Sequence, residues 1–148
     1  MPTNSRFAIA VHVLTLMAWA GDEPLKSELV ACSVNTNPVV IRRILCQLAK
    51  AGLVVSQTGA AGGSRLARKP GQITLLEVFR AVDAGGVFSL HRQPPSDKCP
   101  VGMNMETALE KISAELDQAI ERVLGKMTVE KVLQSIEPRS RAFHRKAG

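Results

Sequence analysis

The chain has few aromatic residues and few cysteines among its 148 residues, and each shortage excludes a class of protein. It contains no Tyr, one Trp and four Phe. Proteins that bind single-stranded nucleic acid stack bases on exposed aromatic rings, so this composition disfavours single-strand binding. The three cysteines, Cys32, Cys46 and Cys99, are widely separated. They match neither a disulfide framework nor the spacing of a tetrahedral zinc site, so we expect no bound metal.

Long apolar runs are also missing. The most apolar stretch, Phe7–Ala20, is too short to span a membrane, and no Lys/Arg-rich leader with a cleavage site precedes it. We therefore expect a cytoplasmic protein that does not bind membranes. Apolar residues nearly encircle the helix predicted for this stretch, and such a helix must be covered on several sides. In a small domain, this predicts that a second subunit covers part of it.

Positive charge is present in excess. The formal net charge is +6 and the isoelectric point is about 9.7. Such a balance favours a polyanionic partner, either nucleic acid or an acidic membrane surface. Together with the scarcity of aromatic residues, it favours double-stranded DNA.

The region 35–68 predicts a winged helix-turn-helix. A short helix (27–32) and a turn lead to a third helix (37–51), with Asn37 as its N-cap, Pro38 as its first residue and Gly52 just after its end. In this motif, the N-terminal part of the third helix meets base edges in the major groove. The alternative is an amphipathic surface helix with solvated arginines. The predicted DNA contacts in this helix are Thr36, Asn37, Val39, Val40, Arg42 and Arg43.

A β-hairpin wing is predicted after the third helix. Its strands are 53–57 and 64–67, and the tip is rich in glycine. A small tip can enter a minor groove, whose negative potential attracts arginine. The alternative is an ordinary hairpin with a flexible turn; a nucleotide-binding loop is disfavoured because no Gly-Lys-Ser/Thr follows. The predicted wing contacts are Gly59, Gly62, Gly63 and Arg65, with Arg68 close to the tip.

The C-terminal third predicts one long amphipathic helix. It runs from about residue 102 to residue 127, and its apolar residues recur at steps of three and four. We interpret the seam 105–127, together with the first helix, as a homodimer interface; the alternative is packing against its own domain. The predicted organisation is a DNA-binding domain (1–84), a sensor loop (85–101), a dimerisation helix with a short final helix (102–136) and a basic tail (137–148). The fold class is mainly α with a small β-hairpin wing.

Cys99 lies in the sensor loop, beside Lys98 and close to the start of the long helix. A cationic setting and a helix N-terminus both lower a thiol pKa, so Cys99 is either a reactive sensor or an ordinary surface thiol. Cys32 and Cys46 are interpreted as core residues of the helix-turn-helix, and His12 as a core or interface residue. No nucleophile–base–orienter set is present, so we expect no enzyme activity.

The order of these segments resembles the Rrf-two (Rrf2) family of bacterial winged-helix repressors. The resemblance covers about residues 5–136. It rests on S-V-N-T-N-P-V-V-I-R-R-I-L, on A-G-L-V followed by G-A-A-G-G-S-R-L-A-R, on I-T-L-L-E-V-F-R-A-V, and on C-P-V-G before the long helix. It implies a homodimer swapped along the long helix that binds palindromic promoter DNA. The third helix would occupy the major groove, and wing residues 59–65 the minor groove.

The resemblance fails at the sensor. Several family members hold an iron–sulfur cluster through three cysteines in the loop before the long helix, whereas Cys99 is the only cysteine there. A cluster bound in the family manner is therefore disfavoured. The hypothesis is a cluster-free repressor released by oxidation or modification of Cys99. The alternatives are a small-molecule effector, a cluster with external or inter-subunit ligands, and a winged-helix protein-interaction module that does not bind DNA.

Overall fold

A computed structural model describes residues 3–82 and 90–136. The chain is mainly helical with one two-stranded antiparallel hairpin, as predicted. Residues 129–136 are also helical and are called α6 below. No described helix combines the length and apolar character needed to cross a membrane. The elements in chain order are α1 (Thr3–Ala20), α2 (Ser27–Val34), α3 (Pro38–Lys50), β1 (Val54–Gln57), β2 (Gly63–Leu66), a 3₁₀ turn (Pro70–Gln72), α4 (Leu75–Val82) and α5 (Pro100–Leu124).

The core lies where helices α1 to α4 meet. One face of α1 contributes Leu14 and Met17, and α3 contributes its predicted apolar stripe. Phe7 of α1 and Phe79 of α4 meet edge to face, with ring centroids 5.6 Å apart. Each fully buried apolar side chain, such as Leu14 or Met17, stabilises the fold by roughly 1.5–3 kcal/mol. The stripe of α3 consists of Ile41, Ile44, Leu45 and Leu48, all buried.

Helix α3 begins and ends at the residues predicted from its sequence. Asn37 has extended backbone angles, and its Oδ1 accepts a hydrogen bond of 2.9 Å from the N–H of Val39. Pro38 occupies the first helical position, where no hydrogen-bond donor is needed. The helix ends at Lys50, and Gly52 adopts a φ of 74°, which a residue with a Cβ rarely adopts. The helix is thus held at both ends.

The hairpin is joined to the rest of the domain through Leu25. The backbone of Leu25 exchanges hydrogen bonds of 2.8 and 2.9 Å with Ser64 of β2 and so forms an isolated antiparallel β-bridge beside the hairpin. A Cβ on Gly63 would lie 2.8 Å from the backbone of Leu25. Only glycine permits this approach, and the wing is therefore fixed against the start of α2.

The sequence predicts a fourth helix (75–84) opened by a capping box of Thr74 and Glu77, and the structure has this capping box at the start of α4. Glu77 accepts hydrogen bonds from the N–H and the hydroxyl of Thr74, at 3.0 and 3.2 Å, and the Thr74 hydroxyl accepts one from the N–H of Glu77. Arg68 donates to the same carboxylate at 2.8 Å. Backbone hydrogen bonds also join the start of α4 to the start of α6, where Leu75 donates to Met127 at 2.9 Å.

The assignment of Cys32 and Cys46 to the core was wrong, and His12 is not a core residue. Both cysteines are exposed. Val30 and Ala31 form the buried side of α2, and leucines and isoleucines fill the buried side of α3. His12 is exposed as well, and its Nε2 lies 3.0 Å from the hydroxyl of Ser33. Whether His12 lies at a subunit interface stays a prediction.

Helix α5 is longer at its start than predicted and shorter at its end. It begins at Pro100 because this proline occupies the first helical position after Cys99, and it ends at Leu124. The predicted end of α4 at residue 84, the glycines 85–86, the first part of the sensor loop (85–89) and the basic tail (137–148) lie outside the described residues.

None of the residues of α5 is buried by the described remainder of the chain. Its C-terminal end is attached to α4, where Arg80 and Glu121 form an ion pair of 3.0 Å. Several apolar side chains on the rest of the helix are exposed, and Ile112 keeps 51% of its surface, whereas Met105 and Leu109 are half-buried. The core of the described chain therefore does not cover the apolar seam of α5.

Candidate nucleic-acid interface

The outward side of α3 is a ridge of exposed side chains. Val39, Arg43, Cys46 and Lys50 follow one another at steps of three and four, opposite the buried stripe. Val39 keeps 48% of its surface exposed, and the other three are exposed as well. A ridge of this kind is the part of an α-helix that can enter a major groove.

Of the six contacts predicted in α3, four are on the outward side or beside it. Val39 and Arg43 lie on the ridge, and Arg42 is exposed on its flank. Asn37 is exposed too, and its Oδ1 accepts the N-cap hydrogen bond. A bidentate contact to adenine would use the amide NH₂ and the second lone pair of the same oxygen, so the base would share that oxygen with the cap. Thr36 and Val40 are half-buried.

Arg42 is not free. Its Nη2 donates to Oε1 of Glu28 on α2 at 2.9 Å, and the two side chains are 58% and 64% exposed. Backbone hydrogen bonding at the N-terminus of α2 lowers the pKa of Glu28, and Arg42 lowers it further. The carboxylate is therefore charged at neutral pH and orients the guanidinium.

Two grooves flank the ridge. The groove on the side of α1, with a volume of about 590 Å³, is lined by Arg6, Val40, Arg43, Ile44, Cys46 and Gln47. The groove on the side of the wing, about 310 Å³, is lined by Arg42, Ser27, Ser56 and Gln57 together with residues of both walls. A helix in the major groove is bordered by a sugar–phosphate backbone on each side.

The predicted wing residues separate into two kinds. Gly59 is exposed and has a φ of 101°, with open space where a Cβ would stand. Gly62 and Gly63 are half-buried, and a Cβ on either would collide with backbone atoms of the hairpin or of Leu25. Gly62 and Gly63 therefore determine the backbone shape of the wing. Arg65 is half-buried on β2, and Arg68 is paired with Glu77, so Arg68 supports α4 instead of extending the wing.

Three residues of this surface were missed from the sequence. Cys46 was assigned to the core, and Lys50 was not considered as a contact, although both occupy the helical positions that continue the Val39–Arg43 ridge. A helical wheel of α3 would have identified them. Arg6 could not have been found in this way, because only the packing of α1 against α3 brings it to the groove.

Cys99 is exposed and is the N-cap of α5. Its sulfur forms no capping hydrogen bond of ordinary geometry, yet the N–H groups of Gly102 and then Val101 point toward it and lower its pKa below the usual 9.0. The attraction of the thiolate to these N–H groups outweighs the small effect of desolvation. The thiolate fraction at neutral pH is therefore larger than that of an ordinary cysteine.

Comparisons with known proteins agree with this architecture. The family model "Rrf2: Iron-dependent Transcriptional regulator" matches residues 3–135. The chain is 40% identical over 134 residues to "Putative HTH-type transcriptional regulator YwnA" of Bacillus subtilis (strain 168), covering 90% of this chain and 98% of that protein. A solved structure of a "putative DNA binding protein" is 37% identical with a TM-score of 0.69, covering 86% of this chain and 98% of that one. CymR, "the Global Cysteine Regulator of B. subtilis", shares the fold at 19% identity and a TM-score of 0.66, covering 88% of this chain and 94% of that one.

The iron named in the family description does not fit the residues of this chain. Within 3–82 and 90–136, no three His, Cys, Asp or Glu side chains lie close enough together to hold a metal ion. Cys32 and Cys46 belong to the helix-turn-helix, and Cys99 stands at the start of α5. Iron–sulfur clusters need several thiolates converging on one point, which these positions do not supply.

The helix-turn-helix, the wing and the long helix follow one another along the chain, and the family match spans nearly all of it. Members of this family are transcriptional regulators and not enzymes. The chain therefore belongs to the Rrf2 family of transcriptional regulators.

Proposed function

We propose that this protein is a homodimeric transcriptional repressor that reads palindromic promoter DNA. Helix α3 enters the major groove and the wing 59–65 enters the adjacent minor groove. The observation that carries the proposal is the exposed ridge of α3, which stands between two grooves and carries Arg43 at its centre. A buried or acidic ridge would not favour this use.

The chemistry of the ridge suits base edges. Arg43 can donate two hydrogen bonds to guanine, and the methyl groups of Val39 can contact a thymine methyl. Arg42, oriented by Glu28, can donate to a second base or to a phosphate. Contacts from the remaining cations to phosphates would provide most of the affinity, so binding should fall steeply with salt.

Dimerisation is supported by the apolar surface that the described chain leaves exposed. The seam of α5 includes Ile112, Leu116 and Val123, exposed by 40–54%. A second apolar surface lies between α1 and α6, in a groove of about 510 Å³ that includes Trp19 and Ile136. Monomeric proteins rarely expose apolar patches of this extent, and a second copy would cover both. A two-fold dimer would also present two α3 helices to a palindrome.

Release from DNA is proposed to begin at Cys99. Its thiolate attacks a hydroperoxide, so that an S–O bond forms while the O–O bond breaks, and the leaving oxygen departs as hydroxide or alkoxide. The resulting sulfenic acid condenses with a thiol of a second subunit or of a small molecule, which forms a disulfide and releases water. The lowered pKa of Cys99 and its exposure support this step.

The test is a selection of duplexes from a random DNA library by the purified protein. We expect enrichment of a palindrome with half-sites about one helical turn apart. Arg43→Ala should relax the choice of base at one position of each half-site, whereas Arg122→Ala, which removes an equal charge from α5, should leave the selected sequence unchanged. Loss of affinity for all duplexes alike would reduce Arg43 to a phosphate contact. Failure to enrich any duplex would favour the protein-interaction module.

A reporter assay separates repression from activation. The selected palindrome is placed over the start site of a reporter gene, and the protein is expressed from a separate inducible promoter. Repression predicts a lower signal that depends on Arg43. A signal that rises with protein would assign an activator.

A further inference from the structure

We infer that Arg6, at the start of α1, is a phosphate contact that places the first helix in the DNA interface. The inference rests on the proposed function and adds a residue outside the helix-turn-helix and the wing. Arg6 lines the groove on the α1 side of α3, together with Arg43 and Gln47. The lining contains two guanidinium groups and no carboxylate.

The guanidinium of Arg6 lacks the acceptors that most arginines find within a protein. Its Nε is buried and has no hydrogen-bond partner. Arg42, Arg68 and Arg80 each pair with a carboxylate, but Arg6 and Arg43 form no ion pair within the part of the chain that the structure describes. A buried donor without a partner is unfavourable, and an anion that enters the groove can supply the missing acceptor when the side chain turns toward it.

The position of the groove indicates which anion this is. With the α3 ridge in the major groove, the wing-side groove faces one sugar–phosphate backbone and the α1-side groove faces the other. Arg43 stands on the ridge and can reach base edges, whereas Arg6 stands on a different helix, at the outer wall of the groove. The geometry therefore assigns the bases to Arg43 and a phosphate of the bordering strand to Arg6.

The two roles predict different responses to substitution. A phosphate contact carries no sequence information, so Arg6→Gln should weaken binding to the selected palindrome and to a scrambled duplex by the same factor. It should also reduce the slope of log Kd against log salt by about 0.9 for each lost contact, or about 1.8 for a dimer. Arg6→Lys should restore most of the slope, since it retains the charge.

The experiment measures binding of wild-type protein, Arg6→Gln, Arg6→Lys and Arg122→Gln to both duplexes between 50 and 300 mM NaCl. Arg122→Gln removes the same charge at a distance and shows how much of any change comes from net charge alone. Thermal melting verifies that each variant folds, and Arg6→Ala, which also removes the charge, replaces Arg6→Gln if the latter does not fold. An unchanged slope in Arg6→Gln, or a slope change no larger than that of Arg122→Gln, would overturn the inference. A change confined to one base position would overturn it too, because Arg6 would then read a base.

If wild-type protein binds neither duplex, the proposed function itself fails, and that outcome is distinct from the others.

Discussion

The carboxylate of Glu28 on α2 holds the guanidinium of Arg42 on α3 through a hydrogen bond of 2.9 Å. The pair spans the two helices of the helix-turn-helix on their solvent side. An exposed ion pair of this kind adds little to stability, so its main effect is on the direction in which Arg42 points. Glu28 is in this sense a positioning residue for DNA recognition.

Glu28→Gln should separate specificity from affinity. It removes a negative charge near the DNA and frees Arg42, so binding to a scrambled duplex should tighten. Discrimination in favour of the selected palindrome should fall, because Arg42 loses its fixed direction. The measurement is Kd for both duplexes at one salt concentration. Equal changes for the two duplexes would show that Glu28 acts through its charge alone. Glu110→Gln on α5 is the control for the loss of one carboxylate.

Cys46 should report the docking of α3 directly. It is exposed on the ridge, between Arg43 and Lys50, and a duplex in contact with the ridge would cover it. In a Cys32→Ser/Cys99→Ser variant, the selected duplex should slow maleimide labelling of Cys46 at least tenfold. The matched control leaves Cys99 as the single cysteine, and its labelling should not change. Equal labelling rates of Cys46 with and without bound DNA would contradict the placement of this ridge in the major groove.

The sequence was sufficient for features that depend on local chemistry. The start of α3 follows from Asn37 and Pro38, its end from Gly52, and the capping box of α4 from the spacing of Thr74 and Glu77. In each case, the residue acts on the backbone within a few positions of itself, through a side-chain hydrogen bond at Asn37, Thr74 and Glu77, a fixed ring at Pro38 and the absence of a side chain at Gly52. Such contacts form in any tertiary setting, which is why a linear pattern predicts them.

Features that depend on packing between distant segments were beyond the sequence. Arg68 was assigned to the wing because it follows Arg65 closely, but the fold brings Glu77 to it. Gly63 was assigned to DNA contact, although the approach of Leu25 is what requires a glycine there. Arg6 joins the groove only because α1 packs beside α3. No local signal encodes any of these three neighbours.

The capping network of α4 should make stability depend on pH. Desolvation raises the pKa of Glu77, but the hydrogen bonds from Thr74 and Arg68 outweigh it, so the pKa is lower than 4.5 in the folded protein. A lowered folded-state pKa contributes stability that is present above the unfolded pKa and is lost as pH falls through the folded value. Glu77→Gln should therefore lower the melting temperature at pH 7 and converge with wild type only after the pH has fallen below the lowered pKa of Glu77. Glu110→Gln should show no such convergence.

The first turn of α4 allows a second check on that network. Thr74→Ala removes the hydroxyl that accepts from Glu77 and should lower the free energy of unfolding by about 1 kcal/mol, as measured by urea titration at pH 7. Thr107→Ala, on the exposed part of α5, removes the same atoms from a helix interior and should cost far less. A similar loss in both variants would show that the cap adds nothing.

The exposed seam of α5 should be the dimer interface. Ile112→Glu places a charge where a second copy would bury it, so the variant should sediment as a monomer at concentrations where wild type is a dimer. The variant should still fold, because Ile112 is 51% exposed in the single chain.

Trp19 is the only tryptophan and lies in the groove between α1 and α6, so its emission should shift to longer wavelength on dissociation. Lys111→Glu, one residue away on the polar face, should remain dimeric. A wild-type protein that sediments as a monomer at 10–100 µM would contradict the interface.

Cys99 should be the thiol that reacts first. In a Cys32→Ser/Cys46→Ser variant, the rate of alkylation by iodoacetamide should rise with a midpoint below pH 9.0, since the N–H groups of Gly102 and Val101 stabilise the thiolate. A hydroperoxide should release this variant from the selected duplex, and a reducing dithiol should restore binding. Cys99→Ser should bind the same duplex and ignore the hydroperoxide, because serine cannot form a sulfenic acid. If Cys99→Ser is still released by the hydroperoxide, the oxidation that matters occurs at Cys32 or Cys46, and the position of Cys46 on the α3 ridge makes it the next candidate to replace.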